Sequence, residues 1–267
     1  MQLLSLVGPA ADSLAERLAP RLDGRVATVE RLPERAGGAD TDGVDGAYGL
    51  GDDCAWVGAG ADRSLTDLLD ALAPTYDYAL LSGFPEARAP TVVVGDEDTE
   101  VRGDVVETVE SAERVDDADL DVLARHADDG EPHVTLETLV ERVKQSPRAE
   151  RAGAIATFTG RVRAKDGDDD SRTTHLAFEK YEGVAEERMA TISTELTARD
   201  GVEEVLMHHR TGVIEDGEDI VFVVVLAGHR TESFRAVEDG INRLKDEVPI
   251  FKKETTVDEE FWVHDRQ

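Results

Sequence analysis

The sequence predicts two domains in series: an α/β domain on a helix-covered parallel sheet over residues 1–130, then an α+β domain over residues 131–267. Three observations lead there. The chain has 267 residues, more than the roughly 100–200 usual for one domain. Its first half alternates short unbroken apolar runs with segments of helical spacing, the pattern of strands buried on both faces. Around residues 126–132, His-Ala-Asp-Asp-Gly-Glu-Pro gathers the charge, glycine and proline of a linker.

Taken in order, residues 3–7 form an apolar strand that Gly8-Pro9 breaks, and Leu14, Leu18 and Leu22 then recur at helical spacing. A second strand is expected at 25–30. The Gly- and Asp-rich stretch 37–53 reads as loop, and a short apolar run at 55–57 as a third strand. Ser64 is placed to N-cap a helix over 64–72, followed by buried-type strands at 76–84 and 90–94. Residues 101–129 are acidic and weakly periodic. Beyond the linker, Thr135 can cap a helix running to Lys144, with Glu137 in its first turn where the helix dipole favours a carboxylate. Strands are expected at 153–162, 175–180, 204–208 and 220–227, and helices at 185–198 and 232–247. No repeat of 20–50 residues is present.

Composition narrows the function. Asp and Glu number 59 against 29 Lys and Arg, a formal charge of -30, which opposes binding to nucleic acid or to an anionic membrane. Only six of the basic residues are Lys. A dispersed acidic surface emptied of Lys reads as adaptation to high salt, and the second half of the chain is the less acidic. The single cysteine, Cys54, sits beside Asp52 and Asp53, which leaves no disulfide framework or multi-thiolate metal site. The longest apolar runs, such as 220–227, fall far short of the roughly 20 residues of a membrane span. The first residues, Met-Gln-Leu-Leu-Ser-Leu-Val, read as a strand rather than a leader, so a cytoplasmic protein is expected.

Chemistry concentrates where lysine survives. Lys245, Lys252 and Lys253 fall in Leu-Lys-Asp-Glu-Val-Pro-Ile-Phe-Lys-Lys-Glu, residues 244–254. Arginine supplies charge but keeps its proton, whereas lysine can move one, so lysines kept in an arginine-preferring chain point to lysine chemistry; a solvated helix end is the alternative. Gly228-His229-Arg230 lies between a strand and a helix start, where Arg230 can meet a phosphate or carboxylate, or the turn can be plain packing. Arg161 and Arg163 are expected on one face of a strand, facing an anion or lining a solvated edge. His208 and His209 should point to opposite faces, a structural role rather than a metal site. The Gly8 turn resembles a phosphate-binding loop, but Ser13, Leu14 and Ala15 stand where that loop needs Gly, Lys and Ser/Thr, so nucleotide hydrolysis is not expected.

Residues 153–163 (Gly-Ala-Ile-Ala-Thr-Phe-Thr-Gly-Arg-Val-Arg), Phe178-Glu179-Lys180-Tyr181, His209-Arg210-Thr211-Gly212, Gly217-Glu218-Asp219, Gly228-His229-Arg230, Leu244-Lys245, residues 249–254 and Trp262-Val263 occur in this order. Together, over about residues 135–263, they resemble the large, catalytic subunit of molybdopterin synthase, the MoaE family. The resemblance implies that family's α+β, hammerhead-like fold and an enzyme that converts cyclic pyranopterin monophosphate into the dithiolene of molybdopterin. The sulfur donor would be the Gly-Gly thiocarboxylate of a ubiquitin-like small subunit, on a large-subunit homodimer within a heterotetramer. By the same resemblance Lys245 and Lys252 are catalytic and Arg163, His229 and Arg230 hold the substrate phosphate. Phe158, Lys253 and Glu254 join them as substrate-site residues, and no metal or resident cofactor is implied.

The first half is similar to the MobB family, a phosphate-loop protein associated with guanine-nucleotide attachment, through residues 3–8, the degenerate loop and residues 76–84. Ser82 stands where that family has Glu before Gly-Phe, so a docking domain on a degenerate phosphate-loop sheet is expected rather than a working GTPase. Two other readings remain: a scaffold that docks the ubiquitin-like protein and passes intermediates on, and a GTP-binding adaptor acting through the first domain.

Overall fold

The computed structural model describes residues 1–32, 46–52, 55–60, 63–95, 100–165, 167, 170–181, 183–257 and 260–263. The chain divides into two compact units, residues 1–135 and 136–267.

In the first unit the chain runs β1 (Gln2–Val7), α1 (Ala11–Leu18), β2 (Val26–Glu30), β3 (Gly46–Leu50), β4 (Trp56–Gly60), α2 (Leu65–Leu72), β5 (Tyr78–Ser82), β6 (Thr91–Val94), β7 (Val105–Val109) and α3 (Leu120–Asp129). Five of these strands form a parallel sheet in the order β2-β5-β1-β6-β7, as the unbroken apolar runs predict. Both faces are covered. Leu4 and Leu6 of β1 join Leu14 and Leu18 of α1 and Leu123 of α3, whereas Leu3 joins Leu69 of α2 and Leu81 of β5. Ser64 caps α2 as expected: its hydroxyl accepts the Asp67 N–H at 3.1 Å, and the Asp67 carboxylate accepts the Ser64 N–H at 3.1 Å.

In the first unit the stretch 46–60 departs from the sequence reading. Residues 46–50, expected as loop, form β3, and the run at 55–57 belongs to its antiparallel partner β4 rather than to the parallel sheet. Four glycines in the two strands leave too little side chain for a packed face, and Tyr48, Leu50 and Val57 are exposed. Residues 37–45, Asp53 and Cys54 lie outside the described residues. The acidic stretch 101–129 holds β7 and α3, whose N-cap carboxylate at Asp119 accepts the N–H groups of Asp121 and Val122.

The second unit runs α4 (Leu136–Lys144), β8 (Ala154–Arg161), β9 (Thr173–Lys180), α5 (Val184–Thr197), β10 (Val202–His209), β11 (Gly212–Glu215), β12 (Asp219–Ala227), α6 (Arg230–Glu247), β13 (Ile250–Thr256) and β14 (Glu260–Val263). It is α+β, with one antiparallel sheet in the order β10-β12-β8 and a second in the order β11-β9-β13-β14. β12 is central and buried along residues 220–227, which explains a strand without polar alternation. Val221, Val223 and Val225 cluster with Ile192 and Leu196 of α5 and Ile241 and Leu244 of α6. A Cβ on Gly240 would lie 3.0 Å from Met207 and 3.1 Å from Val223, so only glycine lets α6 sit this close to the sheet.

Candidate functional site

The site begins with the direction of two elements. β12 delivers Gly228 and His229 at one end of the sheet, and α6 then runs back along it, packing on β8 and β12, to bring Lys245 to the other. The 18-residue helix rises about 27 Å. His229 and Arg230, both exposed, therefore stand a whole helix length from Lys245. β8 is antiparallel to β12 with Arg161 opposite Asp219, so Arg163 follows the end of β8 that lies away from His229. The structure thus separates five of the eight expected residues into two groups, with Arg163, Lys245 and Lys252 toward one end and His229 and Arg230 at the other.

β13 starts immediately after α6 and positions the remaining lysines. Lys252 and Lys253 are neighbours on a strand and point to opposite faces. Lys252 pairs with Phe178 on β9, and the same face carries buried Leu176 and Phe178. Glu254 shares that face and accepts a hydrogen bond from the Thr173 hydroxyl. Lys253 lies on the other face, with its ammonium 5.8 Å from the Trp262 ring centroid, so the adjacent lysines do not act on one group. Lys245 is exposed in the last turn of α6. Phe158, opposite Val223, packs against the core.

β8 ends at Arg161, and just past it Val162 is buried between exposed Arg161 and Arg163, with its N–H donating to the Glu218 carbonyl at 2.9 Å. Arg161 is committed to the neighbouring turn, donating to the Gly217 carbonyl at 2.6 Å and lying 3.7 Å from Asp219, while Arg163 is exposed beyond the strand.

His208 stacks on Phe222, and His209 meets Phe178 edge-on, with Nδ1 2.7 Å from the Arg210 carbonyl. Burial, joined by the charge on Lys180, pushes their pKa values down to about 3 and about 4, so both are neutral at pH 7. No group of three metal-ligating side chains exists among the described residues. Sequence reasoning left Lys180 without a role. Its side chain is only 16% exposed, and its ammonium sits 2.6 Å from Glu186. The visible signal was that it is one of only six lysines.

In the first unit the degenerate loop has become packing. Leu14 and Ala15, at the Lys and Ser/Thr positions of a phosphate-binding loop, are buried in the core. An acidic depression lined by Glu107, Glu110, Arg114, Asp117 and Asp119 has the wrong charge for a phosphate.

A family model described as MoaE protein matches residues 131–247. A protein of Haloferax volcanii named probable molybdopterin synthase is 64% identical over 267 residues, covering the whole of both chains. The chain belongs to the molybdopterin synthase family. It is an enzyme of molybdenum-cofactor biosynthesis, with the MoaE match in its second unit. The molybdopterin synthase catalytic subunit of Bacillus subtilis is 35% identical over 133 residues, which are 50% of this chain and 81% of that one. The crystal structure of a MobB protein homologue from Bacillus stearothermophilus is 22% identical, with a TM-score of 0.36, and covers 48% of this chain and 99% of its own. No helix among the described residues is long and apolar enough to cross a membrane.

Proposed function

We propose that the second unit transfers sulfur from the C-terminal thiocarboxylate of a ubiquitin-like small subunit to cyclic pyranopterin monophosphate, forming the dithiolene of molybdopterin. Lys245 and Lys252 flank the entering thiocarboxylate as its sulfur bonds to a pterin side-chain carbon; the carbon–oxygen bond at that carbon breaks, and a lysine gives the departing oxygen its proton. Water then hydrolyses the thioester link and frees the small subunit, and a second charged copy supplies the second sulfur. Arg163, His229 and Arg230 neutralise the substrate phosphate, with Arg230 opening α6, where helix N–H groups favour an anion. Phe158 walls the site. Glu254 orients the Lys252 face, and Lys253 steadies β14 through Trp262.

The observation that carries this reading is the separation of the cations. About 22 Å of helix axis divides Arg230 from Lys245, too far for one small substrate to touch both groups in one copy. A two-fold homodimer resolves it, the His229–Arg230 end of one chain completing the lysine end of the other. The first unit then serves docking, since Leu14 and Ala15 leave it without the polar groups that hold a nucleotide.

The test mixes the protein, in molar KCl, with thiocarboxylated small subunit and cyclic pyranopterin monophosphate, and quantifies molybdopterin as its fluorescent oxidation product. Product from the wild type that is lost in Lys245→Ala supports the synthase. No product despite measured small-subunit binding puts the scaffold reading in its place.

A further inference from the structure

The two lysines assigned to catalysis sit on different elements, Lys245 on α6 and Lys252 on β13, joined by the short turn through Val248 and Pro249. Their separation must be held to a fraction of an ångström if both are to serve one thiocarboxylate. A turn alone does not hold it. The start of α5 is tied to α6 directly and to β13 through its neighbour β9.

Lys180 ends β9, and its backbone is the register partner of Ile250, the first residue of β13. Its ammonium reaches Glu186 in the first turn of α5 at 2.6 Å. Glu186 is itself held, because its other carboxylate oxygen accepts the Gly183 N–H at 2.8 Å. The bond from Lys180 keeps the Glu186 carboxyl below its ordinary pKa, so that carboxylate is ionised at neutral pH. Two residues along the same helix, Arg188 pairs with Glu247, the last residue of α6 and in the same turn as Lys245. Glu247 also accepts from Arg243 Nε at 2.7 Å, and Arg243 reaches Glu195 of α5 at 2.6 Å. One turn of α5 therefore grips the strand corner that leads to Lys252 and the helix end that carries Lys245.

Resting on the sulfur-transfer reading above, we propose that Lys180 and Arg188 are positioning residues: two ion pairs to the start of α5 and the end of α6 that fix the distance between Lys245 and Lys252. Neither has to touch the substrate. Both pairs are partly screened, with side-chain exposures of 16% and 48% for Lys180 and Glu186 and 41% and 25% for Arg188 and Glu247, so their role is geometric more than stabilising.

The test compares Lys180→Met, Arg188→Met, the double variant and Lys180→Arg with the wild type, assembled with small subunit. Arg199→Gln is the control, breaking the Arg199–Asp239 ion pair outside this network. The expected result is a fall in kcat of about 10- to 100-fold in each Met variant, with KM for the pterin and small-subunit affinity within about twofold. The double variant should be no worse than the poorer single one, because both pairs serve one distance. Lys180→Arg should recover most of the rate, and Arg199→Gln should keep it. An active wild type with unchanged kcat in both Met variants overturns the proposal alone, as does a loss matched by Arg199→Gln. An inactive wild type overturns the sulfur-transfer reading and takes this proposal with it.

Discussion

Two corners of this molecule are built alike and differ in what they offer a ligand. At β1–α1 and at β12–α6 a buried strand turns through a glycine into a helix. At the first, Gly8 has φ +113°, and a Cβ there would lie 1.9 Å from the Val94 carbonyl oxygen, so the turn is pressed against β6. The helix behind it has Ala10 at its N-cap, with φ 60° and no side-chain cap, carries Asp12 in its first turn, and buries Leu14 and Ala15. At the second corner His229 and Arg230 are exposed at the helix start. The same backbone device is retained for packing in one unit and carries cations in the other. A strand-turn-helix corner is thus no sign of anion binding until its side chains are counted.

The sharpest way to break the contrast is at the lysines. Lys252→Ala should lower molybdopterin formation by about 10²- to 10⁴-fold, the usual loss for a group that moves a proton, whereas Asp12→Ala in the first corner should leave the rate unchanged. Equal losses in steady-state assays would erase the distinction between the units. A smaller effect is expected of Arg230→Ala, a rise of about 10- to 100-fold in KM for the pterin from one lost charge-assisted bond. The paired measurement titrates GTP into the wild type by calorimetry, where no heat of binding is expected; micromolar affinity would return nucleotide chemistry to the first unit. Gly8→Ala should cost more than the about 1–3 kcal/mol of its strained φ, because the added Cβ also overlaps the Val94 carbonyl; the loss is read in urea unfolding of the first unit, with synthase activity intact in the fraction that stays folded.

The last prediction concerns acid. His208 and His209 have folded pKa values near 3 and 4, below the 6.5 of the unfolded chain, so the unfolded state binds more protons between those limits. Stability of the second unit should therefore be fully present above pH 6.5 and fall as pH drops toward 4, by about 1.4 kcal/mol per pH unit per histidine. His208→Gln should remove about half of that slope in unfolding midpoints measured from pH 7 to 4.5. An unchanged slope would mean that the buried histidine is not the titrating group.

Much of the architecture was legible because burial imposes periodicity. Unbroken runs at 3–7 and 220–227 announced strands covered on both faces, and Ser64 announced a helix start through its hydroxyl. β3 was not legible, since glycine-rich strands carry little side-chain pattern. β13 and β14 were also missed, because a half-exposed sheet rich in Lys, Glu and Thr reads as a solvated segment. That omission hid the one fact that sorts Lys252 from Lys253, since only a strand sends neighbours to opposite faces.

By itself the sequence determined which chemistry the chain can host: lysines kept in an arginine-preferring background, cations at a helix start, and an ordered set of motifs shared with one family. These are matters of residue identity, and identity needs no coordinates. Tertiary structure alone decided where those groups stand. It put His229 and Arg230 a helix length from Lys245, gathered Lys180 and Arg188 around α5, and turned Leu14 and Ala15 into core. Distance along a chain is not distance in space, and only packing converts one into the other.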